Sequence, residues 1–87
     1  MEENIVSGLK NFIKRYIPNY ELQEDENMFT LGFINSLFVM QLLLFIKKQF
    51  GIQVEKEELA VENFQSIAAL TAYIKSKLSS RLQEEKP

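Results

Sequence analysis

The chain contains no cysteine and no histidine. Without cysteine there is no disulfide framework, no thiolate nucleophile and no cysteine-based metal site. Without histidine the commonest general base and metal ligand are gone as well. Two prolines and three glycines in 87 residues leave few interruptions, which favours helices. No basic surplus is present either: the net charge is −2 and the pI about 5.1, which argues against a nucleic-acid partner. The longest apolar run, Leu37 to Ile46, holds nine apolar residues around Gln41, about half of what a bilayer crossing needs. The start, Met1-Glu2-Glu3-Asn4, is acidic where a secretory signal would be basic. These absences point to a cytoplasmic protein that lacks the usual parts of an active site.

What remains is ordinary for a globular chain, with 46% hydrophobic and 25% charged residues. The length suits one domain. Ile5, Leu9, Phe12, Ile13 and Tyr16 recur at helical spacing, with Lys10, Asn11, Lys14 and Arg15 mainly opposite, so residues 2–16 read as an amphipathic helix. Pro18 ends it, because the residue before a proline is pushed out of helical geometry. Residues 18–35 form a long connection carrying Glu21, Glu24, Asp25 and Glu26, expected to be solvated, with Tyr20, Leu22, Met28, Phe29 and Leu31 expected to pin it down.

Asn35 stands at an N-cap position, and a second helix is expected from Ser36 to Phe50, stopped by Gly51. At 100° per residue, Met40, Leu42, Leu43, Ile46 and Phe50 cover a core-facing arc. Leu37, Phe38, Gln41, Leu44, Phe45 and Lys48 fall opposite, and most of these are apolar. A small domain has little room to bury a helix on every side, so those six read as a partner-binding face. Ile52 and Val54 read as a half-buried connector, and Leu59 and Val61 as a return to the core. A short turn around 62–65 lets Phe64 plug the bundle. Ser66 caps a last helix with Ile67, Leu70, Tyr73, Ile74 and Leu78 inward. Residues 79–87 lose this periodicity and read as a frayed tail after a domain of residues 1–78. The sum is an all-α bundle of three main helices and one short one.

Ser36 is the residue of interest. Taken alone, an Asn-Ser pair ahead of an apolar run is a helix cap. Three features add to that. A helix N-terminus welcomes a phosphate, Gly32 supplies a flexible turn ahead that Phe33 and Ile34 can anchor, and the helix behind is apolar. A serine-hydrolase reading fails because no base is present to activate the hydroxyl.

Gly32-Phe33-Ile34-Asn35-Ser36-Leu37, Gln49-Phe50-Gly51-Ile52 and Glu62-Asn63-Phe64-Gln65-Ser66-Ile67 together resemble an acyl or peptidyl carrier protein, over nearly the whole chain to Leu78. The resemblance implies that Ser36 receives a 4′-phosphopantetheine arm from coenzyme A and that a substrate rides on the arm's thiol as a thioester. The chain would then be a carrier and not an enzyme. Its partners would be a phosphopantetheinyl transferase, a loading enzyme for an acyl or aminoacyl group, and downstream synthase or tailoring enzymes of a polyketide or nonribosomal-type pathway. The family usually places Asp before the serine, where this chain has Asn35. In that respect, and over residues 35–42, it looks closest to free-standing carriers of polyketide extender units of the methoxymalonyl type, with prolyl carriers as the alternative. Fatty-acid carriers show acidic residues on the second helix; Ser36 to Phe50 here holds no acid and two lysines, Lys47 and Lys48, so docking to fatty-acid synthase enzymes is expected to be poor. The Met1 start reads as a discrete protein, expected to be a monomer. A non-covalent interaction module using the apolar second helix is the competing reading.

Overall fold

The computed structural model describes residues 2–32 and 34–84. Helix α1 spans Glu2–Tyr16, α2 Ser36–Phe50, α3 Val61–Phe64 and α4 Ile67–Glu84, with a 3-10 turn at Lys56–Glu58. This is the expected bundle of three main helices and one short one. No helix among the described residues is long and apolar enough to cross a membrane.

Each boundary has a local cause. Helix α1 closes as the Ile17 N–H donates to the Ile13 carbonyl at 2.8 Å, just before Pro18 withdraws the next donor. Lys14 and Arg15 fill its last turn, where positive charge meets the negative end of the dipole. Gly51 ends α2 with φ 69°, a left-handed conformation that costs glycine little. Ser66 caps α4, its hydroxyl accepting from the Ala69 N–H at 3.1 Å.

The core lies where α4 packs on α1 and α3, and α1 on α2. Ile5, Leu9, Phe12 and Ile13 from α1 meet Ile67, Leu70, Tyr73 and Ile74 from α4, all buried, with Phe64 closing one end. Fully burying one such side chain stabilises the fold by roughly 1.5–3 kcal/mol.

The second helix is rotated relative to the sequence expectation. Phe38, Leu42 and Ile46 are its buried residues, whereas Met40, expected inside, is 61% exposed. Phe38 is 1% exposed and cannot belong to a surface face. Phe45, also placed outside by the sequence reading, is half-buried against the core. The buried set repeats every four residues, and Phe38 fits there because Phe12 and Tyr16 meet its ring edge-on, at 5.9 and 5.4 Å between centroids. Burying a phenylalanine removes more apolar area from water than burying a methionine at this register, and that decides the phase.

Three further expectations need correction. Leu59 and Val61 are about half exposed rather than returned to the core. Tyr20, Phe29 and Leu31 are exposed as well, so of the five residues expected to pin the 18–35 connection Leu22 and Met28 are the buried ones. Helix α4 continues through Glu84, so residues 79–84 are helical where the sequence reading expected fraying; 85–87 lie outside the described residues.

The connection is tied down mainly by backbone. The Ala68 N–H donates to the Glu24 carbonyl at 2.9 Å and the Met28 N–H to the Gln65 carbonyl at 2.7 Å. Both bonds fasten the loop to the junction of α3 and α4. Glu21, Glu24 and Asp25 are exposed as expected, although Glu24 pairs with Lys10 at 3.3 Å, and Glu26 accepts from the Tyr20 hydroxyl at 2.6 Å and the Gln23 N–H at 2.8 Å.

Candidate functional site

Asn27 begins the turn that delivers the serine. Its side-chain oxygen accepts the N–H groups of Phe29 and Thr30 at 2.9 and 3.1 Å, and the Gly32 N–H donates to the Phe29 carbonyl at 3.1 Å. Gly32 then takes φ 79° with open space where a side chain would start, and a non-glycine residue in that region is strained by about 1–2 kcal/mol. Phe33, expected to anchor this turn, lies outside the described residues; Ile34 is half-buried against the core.

Asn35 is the cap. Its backbone is extended, with φ −145° and ψ 177°, and its side-chain oxygen accepts the Phe38 N–H at 2.8 Å. Its carbonyl accepts the Val39 N–H at 3.0 Å. Ser36 is therefore the first helical residue and has no capping duty. Its side chain is exposed, and its hydroxyl takes no hydrogen bond among the described residues. The first turn of α2 contains no acid, so the positive end of the helix dipole is not neutralised there. A neutral asparagine supplies the cap without adding a negative charge beside the serine. An exposed hydroxyl with no partner among the described residues, at an uncompensated helix N-terminus, fits a covalently bound phosphate group.

Behind Ser36, Leu37, Met40 and Leu44 are each about 60% exposed. With exposed Gln41, Lys47 and Lys48 they form one stripe along α2. Of the six residues read from sequence as the partner face, the structure places Leu37, Gln41, Leu44 and Lys48 together on the surface and removes Phe38 and most of Phe45. The reading missed Met40. Positions 37, 40 and 44 have the spacing of one helix face, but so do 38, 42 and 46, and both sets are apolar. The phase could be found only from Phe12, whose ring needs a partner on α2.

On another part of the surface Glu58 accepts from the Tyr73 hydroxyl at 2.9 Å, from Lys77 Nζ at 3.0 Å and from the Glu55 N–H at 2.8 Å. The Glu55 N–H above all, then Lys77 and Tyr73, hold the Glu58 carboxyl below the usual carboxylate value against an opposing effect of burial. Burial first, then Glu58, push the Tyr73 hydroxyl well above an ordinary tyrosine. This cluster clamps the 3-10 turn to α4 and offers no chemistry at the serine.

No curated protein matches the chain. A family model described as a phosphopantetheine attachment site matches residues 12–74, which takes in Phe12 of α1, the serine, the whole of α2 and α4 as far as Ile74. Carrier domains of this kind are generally not catalysts themselves; they present what is bound to their arm to a phosphopantetheinyl transferase and to loading or synthase enzymes. The extent of that match, over a helical bundle with an exposed serine at a helix start, makes this chain a member of the phosphopantetheine-attachment family, a carrier bearing covalent 4′-phosphopantetheine.

Proposed function

We propose that Ser36 is the attachment residue and that the chain carries an acyl group as a thioester for a polyketide or nonribosomal-type pathway. The observation that supports it most is the division of labour at the start of α2: Asn35 caps the helix, leaving the Ser36 hydroxyl exposed and uncommitted. In the attachment step the Ser36 oxygen forms a phosphoester bond to the arm, nucleotide leaves from coenzyme A, and the transferase takes the proton. The arm then supplies the thiol that a chain without cysteine lacks. Leu37, Met40, Gln41, Leu44 and Lys48 are the surface against which partner enzymes dock, with apolar contacts dominating. The cargo is an extender unit of the methoxymalonyl type or an aminoacyl group, and the setting is cytoplasmic.

The test is intact mass after incubation with coenzyme A, magnesium and a broad-specificity phosphopantetheinyl transferase, with Ser36→Ala alongside. One added phosphopantetheinyl mass, missing from Ser36→Ala, is the expected result. The same gain in Ser36→Ala would move the attachment elsewhere. A second reading, a non-covalent interaction module, is favoured by the exposed stripe on α2 alone. It predicts partner binding that is indifferent to modification.

A further inference from the structure

An acyl group tethered at Ser36 has two places to rest, inside the bundle or outside it. We infer that this bundle keeps its cargo outside, because a cluster of aromatic rings between α1 and α2 closes the interior beside the tether; the chain therefore suits small, polar acyl groups rather than long alkyl chains. The inference rests on Ser36 as the attachment point.

Phe38 lies in the first turn of α2 after the serine and is 1% exposed. Its ring meets Phe12 and Tyr16 edge-on. Phe12 in turn stacks on Phe45 with centroids 4.9 Å apart and planes 28° apart, and Phe45 meets Phe50 edge-on at 6.0 Å. These rings rest on the backbone of α1: a Cβ at Gly8 would lie 3.6 Å from Phe45 Cζ and 3.8 Å from Phe50 Cζ. Beneath them Met28, Leu42 and Ile46 are fully buried. An alkyl chain threading inward along α2 would have to displace rings that already hold one another in place, and close-packed interiors resist this.

Three surface depressions of about 470, 550 and 150 Å³ are lined by α1, residues 18–24 and α4. None takes a wall from α2 or from the turn ahead of Ser36. Left outside, a long alkyl chain stays in water, which disfavours it in proportion to its area; a short or polar acyl group is spared that cost.

The experiment loads the chain separately from acetyl- and decanoyl-coenzyme A with a broad-specificity transferase. Intact mass reports the loading, while thioester cleavage by hydroxylamine and the melting temperature report where the cargo rests. Loss of the carrier reading and loss of the packing inference thus register in different measurements. The expected result is cleavage of both thioesters at rates within about twofold, with no rise in melting temperature for the longer chain, because a cargo that does not bind the folded state cannot stabilise it. A decanoyl thioester cleaved about tenfold more slowly, with a higher melting temperature, would overturn the inference. Phe45→Ala, checked for folding by circular dichroism and replaced by Phe45→Leu if it fails, should acquire decanoyl protection that the parent lacks. A folded Phe45 variant indistinguishable from the parent would show that the rings are not the barrier.

Discussion

The Asn35 side chain holds the Phe38 amide at 2.8 Å, so one hydrogen bond joins the cap of α2 to the aromatic residue that fixes its rotation. Ser36 sits between them without structural duty. Asn35→Ala should lower the unfolding free energy by about 1 kcal/mol, the usual cost of losing a cap. Asn35→Asp keeps the acceptor and adds charge at the positive end of the helix, so it should raise the stability of the unmodified chain by about 0.3–1 kcal/mol. Ser36→Ala should change it by less than about 0.5 kcal/mol. Urea unfolding of the three variants checks this, and a loss at Ser36→Ala as large as that at Asn35→Ala would return the serine to a capping role.

Phe12 is the ring that Phe38, Phe45 and Tyr16 all contact. Phe12→Ala should cost about 3–5 kcal/mol, a large share of the 5–15 kcal/mol that holds a typical domain. Gly8 lies in the same helix, where a methyl group would make ordinary contacts with Phe45 and Phe50. Gly8→Ala should therefore stabilise by up to about 1 kcal/mol, from helix propensity and a less mobile unfolded chain. Thermal unfolding of both variants is the measurement.

The Glu58 clamp should fail in acid. Its carboxyl is lowered from an ordinary value of 4.5 in the folded chain. Its contribution is therefore complete above that value and is lost as pH falls through the lower folded value. Glu58→Gln should melt below the parent at pH 7, and the gap should narrow as the pH is taken below 4.5 and through the lower folded value. The side chains are partly exposed, so the difference at neutral pH is modest, about 1 kcal/mol. A gap that persists unchanged in acid would mean that packing, not charge, holds the turn.

Met40 and Phe38 should behave oppositely. Met40→Asp combined with Leu44→Asp touches only the exposed stripe, so it should leave the fold intact while slowing loading by a partner enzyme about tenfold or more. Phe38→Asp should unfold the chain by burying an unpaired charge. Circular dichroism and a loading assay on the same samples separate the two effects.

Most of the helices were readable because their causes are local. The spacing of Ile5, Leu9, Phe12 and Ile13, the stop at Pro18, the cap at Asn35 and the glycine after Phe50 act within a turn or two of chain, and the structure agrees with each. That Asn35 caps α2 and Ser36 is its first residue was legible for the same reason. The outer end of α4 was not: residues 79–84 lack an apolar stripe, yet they continue a helix already nucleated by the buried turns before them. The 18–35 connection also escaped, because backbone bonds from Ala68 to Glu24 and from Met28 to Gln65 join residues far apart in sequence.

The sequence by itself determined where α2 begins, what caps it and which hydroxyl it presents. Only the tertiary structure decided which side of that helix faces outward. An apolar residue at nearly every position gives no preferred phase, so the choice between Phe38 and Met40 fell to a partner on another helix, the ring of Phe12, and to the area that each side chain could remove from water.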